Sequence, residues 1–453
     1  MIATLTYWTG QLSSLLWGNP VTLLTLLGVG AYLTLRMGFI QLRGFRHALA
    51  LVSGKYSSRR DVGEVSHFQA LSTALSATVG TGNIAGVATA ISLGGPGALF
   101  WMWVTAFLGM ATKFPECTLS LKFRTVAPDG TVAGGPMYTL LHGLQMRRTA
   151  TAFATFALIA SFGIGNMVQA NSVVDGLGYI YPAIKEGGWV LGVILATLVG
   201  LVILGGVQRI ARVASVLVPC MAILYIAAAL LVLAHHIPEL PAAFATIFKH
   251  ALHPFAVGGA AVGEAIRWGV ARGLFSNEAG LGSSPMAHAA ARTNEPVREG
   301  LVAMMEPFVD TLVICTMTGL VIVVSGVYQS GNEELVGAAL TAHAFHDTLG
   351  VAGAWVVGVG LSLFAFSTMI AWSYYGDRSA YFLFGEKAVT PYRVVYTLLV
   401  VCGAAVPLNL VWNIADVTNI LMAIPNLIAL VLLAGLVKKL ADDYRSRPQI
   451  PNR

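Results

Sequence analysis

Two glycine-rich interruptions of long apolar segments carry the residues best suited to bind a small ligand. Residues 76–83 read SATVGTGN and residues 276–283 read SNEAGLGS, so that a serine and two glycines, Gly80/Gly82 and Gly280/Gly282, coincide. Such paired interruptions in the two halves of a membrane protein indicate a transporter's binding site near the bilayer midplane. The alternative is that these glycines simply allow membrane helices to pack closely.

The first interruption offers both kinds of backbone group that an amino acid needs. A helix that ends near Thr78 leaves the carbonyls of residues 76–78 free, and they suit a cation or an ammonium group. The amides of Thr81, Gly82 and Asn83 begin the next helix half, where the helix dipole favours a carboxylate. The two ends together predict a zwitterionic ligand.

The second interruption is richer in polar side chains. Glu278 lies at the break itself, and an ionisable residue at membrane depth is a functional-site hypothesis by default. It either carries a proton or orients the site. Arg272, one turn or more before it, belongs either to the site or to its outer mouth.

Polar residues of two other segments are suited to the same chemistry. The adjacent hydroxyls of Ser367 and Thr368 either provide hard oxygen ligands for a small cation or bond to carbonyls of their own helix. Trp372 follows Thr368 by one turn on the same face, where its indole is placed to close over a small ligand. Asn166 and Gln169 share a helix face and either reach the ligand or bond to neighbouring helices.

Composition shows which elements hold these residues. The chain has 453 residues, of which 56% are hydrophobic and 11% charged, with a mean hydropathy of +0.73. Soluble domains carry about 25% charged residues, and the apolar runs are too long for barrel strands of about 10 residues. The fold class predicted is therefore an all-α integral membrane protein. The four cysteines lie in apolar runs and predict neither disulfides nor a zinc site.

The hydropathy pattern predicts about eleven transmembrane helices. They cover residues 19–40, 67–92, 96–122, 150–181, 188–205, 212–235, 258–290, 299–327, 350–384, 392–409 and 411–437. Lys and Arg concentrate in the loops after the odd-numbered spans and in the tail, whereas the opposite loops hold little besides Lys185 and Lys249. This asymmetry predicts an external N-terminus and a cytoplasmic C-terminus. The same basic loops account for the high pI of about 9.1, so the pI does not indicate binding to nucleic acid.

An odd number of spans leaves one outside any two-fold repeat. With the first span set apart, the glycine-rich breaks fall in the first span of each remaining group of five, and the two groups are inverted. The predicted organisation is an N-terminal helix with a basic linker (1–45), a first repeat (46–237), an external amphipathic helix (238–257), a second repeat (258–438) and a tail (439–453).

Other charged residues carry weaker predictions. Lys113 and Glu116 are most simply an ion pair, and Glu306 and Asp310, one turn apart, form a candidate proton-sensitive or gating pair. Neither a phosphate-binding loop nor a metalloprotease motif occurs, and no serine, histidine and acid are arranged for catalysis. The prediction is a protein that is not an enzyme and has no cofactor.

Residues 94–109, GGPGALFWMWVTAFLG, resemble the signature of the alanine/glycine:cation symporter family. Residues 80–86, 165–171 and 275–280 are similar to the same family, and the resemblance covers essentially the whole chain. It implies the leucine-transporter-like fold, with five plus five inverted repeats and broken first helices. It also implies a sodium-driven symporter for alanine or glycine in the cytoplasmic inner membrane, with no required oligomer.

The resemblance assigns residues to two sites. The substrate would lie against Thr78, Gly80, Thr81, Gly82, Gln169, Phe275, Asn277, Thr368 and Trp372. Glu278 has no simple counterpart in the better-known relatives of the fold; it is added to the substrate-binding residues as one that replaces a ligand, pairs with the substrate ammonium or fixes the break. Sodium would lie between Ser76, Val79, Phe364, Ser367 and Thr368. Asn83, Gly280 and Gly282 would hold the breaks in shape. A proton-coupled transporter using Glu278 is the alternative within the class, and a substrate-gated channel or receptor is the alternative outside it.

Overall fold

The computed structural model describes residues 2–58, 60–126, 131–252, 260–330, 335–405 and 408–448. These residues are almost entirely helical, as the hydropathy pattern predicts. The strands described are the short antiparallel pair β1 (Thr125–Val126) and β2 (Val132–Ala133). The all-α fold class is therefore confirmed.

The N-terminal region contains a long helix before the predicted first span and two short helices after it. Its helices are α1 (Ile2–Gly18), α2 (Pro20–Arg36), α3 (Ile40–Arg43) and α4 (Phe45–Val52). The side chain of Asn19 accepts a hydrogen bond from the amide of Val21, and Pro20 occupies the first turn, so that α2 begins at an ordinary helix cap. Helices α1 and α2 meet at a bend of 47°.

The first predicted repeat contains the first broken helix. Its helices are α5 (His67–Thr78), α6 (Val87–Gly94), α7 (Gly97–Lys122), α8 (Pro136–Tyr138), α9 (Arg147–Phe162), α10 (Val168–Ile180), α11 (Ala183–Glu186), α12 (Gly188–Ile203) and α13 (Gly206–His235). The predicted amphipathic helix follows as α14 (Leu240–Leu252). The predicted boundary at residues 257 and 258 lies outside the described residues.

The second predicted repeat contains the second broken helix. Its helices are α15 (Ala260–Asn277), α16 (Pro285–His288), α17 (Pro296–Ala303), α18 (Met305–Pro307), α19 (Thr316–Ser325), α20 (Gly337–Leu349), α21 (Val351–Phe384), α22 (Val389–Ala405) and α23 (Leu408–Ser446). Short 3-10 turns cover Ile237–Glu239, Val327–Gln329 and Glu386–Ala388.

Several helices contain π-helical turns, which are often found at functional sites. These turns are Gly82–Gly86, Thr139–Gly143, Gly163–Met167 and Phe308–Cys315. Three of them adjoin residues that the sequence analysis assigns to the ligand site or its surroundings. Because a π-turn holds one residue more than an α-helical turn, the side chains in and after it point in other directions than they would in a regular α-helix.

By length and composition, the described residues contain six helices able to cross a membrane, or up to eight when each bent pair is counted as one span. One bent pair is His67–Thr78 with Gly82–Gly94, which meet at 51°. Exposed apolar side chains such as Leu198, Ile223 and Leu398 cover the outer faces of the helices, as expected for contact with lipid. The protein is thus a multi-pass membrane protein, and the count of eleven spans stays a prediction.

Packing brings the two broken helices together at the centre. Helix α15 packs on α7 and α6, while α21 packs on α5, α9 and α10. Among the cysteines, Cys117 and Cys315 are buried, whereas Cys220 and Cys402 are exposed although all four lie in apolar runs.

Candidate functional site

The two breaks face each other directly. A Cβ atom added to Gly82 would lie 3.0 Å from the Cα atom of Ser276. In the second break, Gly280 and Gly282 have φ angles of 87° and 83°, which residues with a side chain rarely adopt. Glu278 also lies in the left-handed region at φ 55°, so the backbone of the break is strained at a non-glycine residue.

Side chains from neighbouring positions hold the first break. The amide of Gly80 donates to Asn83 Oδ1 at 2.8 Å, and the amide of Thr81 donates to Gln169 Oε1 at 3.2 Å. The hydroxyl of Thr81 is fully buried and has no hydrogen-bond partner within the described residues. A buried hydroxyl without a partner is costly, and its position at the break suits a polar ligand.

The oxygens of the predicted sodium ligands lie together beside this break. Ser367 Oγ lies 3.3 Å from Ser76 O and 2.8 Å from Phe364 O. Thr368 Oγ1 lies 3.5 Å from Val79 O, and Ser76 Oγ donates to Ser367 O at 2.7 Å. The carbonyls of Ser76 and Val79 are available for these contacts because α5 ends at Thr78, whereas Phe364 lies within the continuous helix α21. This cluster of neutral oxygens from two helices is the kind of donor set that hard cations prefer.

Glu278 connects the second break to α21. Its Oε1 accepts a hydrogen bond of 2.8 Å from the indole of Trp372, and its Oε2 accepts one from Ser283 Oγ. The side chain of Trp372 lies against the π-turn Gly163–Met167, which precedes α10. A Cβ added to Gly165 would lie 2.3 Å from the Cβ of Trp372. Trp372 is therefore wedged between the second break and the segment that carries Gln169.

The remaining predicted residues have local partners. Thr78 Oγ1 lies 3.4 Å from the carbonyl of Leu75 in its own helix. Phe275 stacks on Trp412, with ring centroids 4.6 Å apart. Asn277 accepts from the amide of Ala279 at 3.1 Å and so caps the break. The structure brings Thr78, Phe275 and Asn277 to the breaks, but these contacts are with protein groups.

Asp310 is the site residue that the sequence analysis missed in this role. Its Oδ1 accepts from Asn83 Nδ2 at 2.6 Å, while its Oδ2 accepts from Ser276 Oγ at 2.8 Å and Thr311 Oγ1 at 2.6 Å. One buried carboxylate thus ties both breaks together. The available signal is an acid at membrane depth, but its spacing predicts a pair with Glu306. In the structure Glu306 bonds instead to Lys113 and His288.

We expect Asp310→Asn to weaken both breaks. An amide has one acceptor oxygen, so at least one of the donors now facing the carboxylate would meet an N–H group. Leaving a buried donor unsatisfied costs about 1–3 kcal/mol. The midpoint of thermal unfolding and the affinity for alanine should both fall in purified protein. Asp442→Asn, at an exposed carboxylate 2.8 Å from Lys438 in the C-terminal part of α23, is the control and should change neither.

Lys113 and Glu116 do not form the predicted ion pair. Lys113 Nζ lies 2.9 Å from Glu306 Oε2, whereas Glu116 Oε1 accepts a hydrogen bond of 2.5 Å from Asn426. The two residues are on the same helix face, but the tertiary structure offers each a closer partner. Asn426 also donates to the carbonyl of Gly280 at 2.9 Å and so supports the second break.

A cavity of about 340 Å³ lies beyond the second break, toward the start of α15. Arg272 lines it and forms a 2.6 Å ion pair with Asp416. Trp412, which stacks on Phe275, lines it as well.

Two facing broken helices, set among helices of bilayer length, define a secondary transporter of the inverted-repeat type. Known structures agree on the fold. MhsT in complex with L-phenylalanine matches with a TM-score of 0.59 and 14% identity, over 82% of this chain and 89% of that one. A manganese transporter of Eremococcus coleocola matches with a TM-score of 0.52 and 12% identity, over 85% and 88%.

Sequence comparisons give the family. The model of the sodium:alanine symporter family matches residues 2–451, and the chain belongs to this family. It is 50% identical over 430 residues to the sodium/alanine symporter AgcS of Methanococcus maripaludis, covering 94% of each chain. It is 39% identical to the probable sodium/glutamine symporter GlnT of Bacillus subtilis, over 96% of this chain and 91% of that one.

Proposed function

We propose that this protein imports alanine or glycine together with sodium across the cytoplasmic membrane. The observation that carries the proposal is the cluster of oxygens from Ser76, Val79, Phe364, Ser367 and Thr368 beside the first break. The 50% identity to a sodium/alanine symporter supports alanine as the substrate. No nucleic acid, cofactor or second subunit is needed for this activity.

In this proposal, ion and substrate share the first break. Sodium uses the carbonyls that precede it, and the substrate carboxylate uses the amides and the free hydroxyl of Thr81 that follow it. Each ligand therefore stabilises the backbone geometry that the other requires, and the resulting coupling free energy is reciprocal. Gln169 holds the amide of Thr81 at 3.2 Å and would be displaced or shared when a carboxylate arrives.

Alternating access would move the helices that carry the breaks against α21 and its neighbours. The Glu278–Trp372 hydrogen bond and the contact of Thr368 with Val79 both cross this boundary. The distribution of basic residues supports an external N-terminus. The cavity lined by Arg272 and Asp416 would then open toward the outside.

Proton coupling through Glu278 is less well supported. Both of its oxygens accept hydrogen bonds, one from the N–H of Trp372 and one from the hydroxyl of Ser283. Two donors facing two oxygens match an ionised carboxylate that orients the break. This arrangement favours sodium as the driving ion.

Uptake of labelled alanine into proteoliposomes tests the function. An imposed sodium gradient should drive accumulation, and a proton gradient alone should not. Counterflow of labelled against unlabelled alanine separates a carrier from a channel or receptor, because a carrier exchanges the two. Accumulation that follows the proton gradient without sodium would refute sodium coupling.

Thr368→Ala should raise the sodium concentration needed for half-maximal uptake by roughly tenfold, the equivalent of about 1.4 kcal/mol. Removing one of the clustered oxygens leaves a hard cation under-coordinated. Thr368→Ser, which keeps the hydroxyl, is the control and should stay near the wild type. If a well-folded Thr368→Ala protein has unchanged sodium dependence, the ion does not bind to this hydroxyl.

A further inference from the structure

A buried chain of ionisable side chains lies in the helices that carry the breaks, and none of its members belongs to either proposed ligand site. Its members are Lys113, Glu306, His288, Glu299 and His67, and each has at most 1% of its surface exposed. They come from α7, α18, α16, α17 and α5. Nothing in the proposed symport reaction uses them.

The chain is linked by hydrogen bonds from end to end. Lys113 Nζ lies 2.9 Å from Glu306 Oε2 and donates to Ser284 Oγ at 2.5 Å. Glu306 Oε1 lies 2.7 Å from His288 Nε2, and His288 Nδ1 lies 2.6 Å from Glu299 Oε1. Glu299 Oε2 contacts His67 Nδ1.

His288 lies between two carboxylates, and this geometry determines how many protons its two ring contacts must hold. Each of its two ring contacts needs one proton, because otherwise two acceptor lone pairs would face each other at hydrogen-bond distance. A neutral imidazole supplies one proton. The second makes His288 an imidazolium or one of the two glutamates a carboxylic acid.

Charge acts in the same direction. The extra proton adds a positive charge beside Glu299 and Glu306, in addition to that of Lys113, which lies 2.9 Å from Glu306 Oε2. Burying carboxylates without compensating positive charge is strongly unfavourable.

Other charged and titratable groups near the chain cannot replace that proton. Arg124 is a cation near Glu299, but its guanidinium donates to the carbonyls of Val62, Ala289, Ala291 and Thr293 and supplies no proton to either ring contact of His288. The rest are neutral or acidic. They are Glu116, Cys117, Glu278, Asp310 and Tyr375.

We propose that the His288 group is a proton-binding site, and that its proton holds α5, α7, α16, α17 and α18 together as one body. The bound proton is the ligand, and Glu299 and Glu306 are its acceptors. Loss of this proton at high pH leaves a lone pair of the His288 ring facing a carboxylate oxygen and loosens the helices that carry both breaks. Its effect on transport rests on the proposed symport, whereas proton binding itself does not.

Glu299→Gln tests the site because it makes the extra proton unnecessary. The Gln amide can donate to His288 Nδ1 and accept from His67, and Glu306 then balances Lys113. The folded wild type holds more protons than its unfolded chain above about pH 7, where free imidazole, with a pKa of about 6.5, is mostly neutral. Its unfolding temperature should therefore fall as pH rises, whereas that of Glu299→Gln should stay level.

Glu116→Gln is the matched control. Glu116 is buried on the same helix as Lys113 but bonds to Asn426, a contact that an amide oxygen preserves. This variant should keep the wild-type fall of unfolding temperature with pH. A wild-type protein whose stability is level over this range, or a Glu299→Gln protein that keeps the fall, would overturn the proposal.

A direct spectroscopic measurement needs no variant to fold. Infrared spectra of wild-type protein with ring-labelled histidine, at about pH 8 where exposed imidazoles are neutral, should show one protonated imidazole or one protonated buried carboxyl. Neutral imidazoles with all buried carboxyls ionised would refute the site. Sodium-driven uptake should fall several-fold at alkaline internal pH in the wild type and persist in Glu299→Gln. Absence of uptake from every protein would contradict the proposed symport. The infrared spectra and the pH dependence of the unfolding temperature would then still test whether the proton is bound.

Discussion

Replacing Gly80 with alanine should abolish most sodium-driven alanine uptake. The added Cβ would lie 2.4 Å from Thr368 Oγ1 and 3.2 Å from Gln169 Oε1, so it would push apart one proposed sodium ligand and the side chain that holds the amide of Thr81. Overpacking a protein interior costs about 1–3 kcal/mol. We expect sodium and alanine affinities to fall together by roughly 10- to 100-fold, measured by uptake and by binding to purified protein.

Gly86→Ala provides the control for this prediction. Gly86 belongs to the same interrupted segment, but its added Cβ would meet Thr81 O at an ordinary contact distance of 3.9 Å. Its uptake should remain near the wild type. A Gly80→Ala protein with wild-type affinities would mean that neither the ion nor the substrate depends on the geometry between Gly80 and Thr368.

Glu278→Gln should weaken alanine binding while sodium continues to drive accumulation. The amide has one oxygen for the two donors, Trp372 and Ser283, that now face the carboxylate. A lost hydrogen bond to a charged group corresponds to about 1.5–3 kcal/mol, or roughly 10- to 100-fold in affinity. Labelled-alanine uptake under separate sodium and proton gradients measures both quantities.

Glu295→Gln is a suitable comparison because Glu295 pairs with Arg447, away from both breaks. It should transport normally. Proton-driven accumulation in the wild type that disappears in Glu278→Gln, with exchange intact, would instead identify Glu278 as a proton carrier. The two outcomes separate the coupling hypotheses without assuming which ion is used.

Hydrogen bonds link the two breaks to each other and to α21. Asp310 bonds to Asn83 of the first break and to Ser276 of the second, and Trp372 bonds to Glu278. A change at one break is therefore transmitted to the other through one or two hydrogen bonds. Such an arrangement is well suited to make ion binding and substrate binding cooperative.

The amino-acid sequence alone determined the class of protein and the locations of the breaks. Hydropathy indicates membrane helices because lipid requires long apolar segments with internally bonded backbone. Gly80, Gly82, Gly280 and Gly282 indicate the interruptions because glycine permits backbone conformations that a regular helix excludes. These are local properties, and they can be identified without knowing which helices are neighbours.

The tertiary structure alone decided which polar groups become partners. Lys113 is one turn from Glu116 but bonds to Glu306, nearly two hundred residues away in sequence, because packing presents that carboxylate at 2.9 Å. In the same way, the structure assigns Asp310 to the breaks. Hydrogen bonding falls off within a few tenths of an ångström, so partner choice depends on helix packing and rotation. No pattern in a single sequence specifies those quantities.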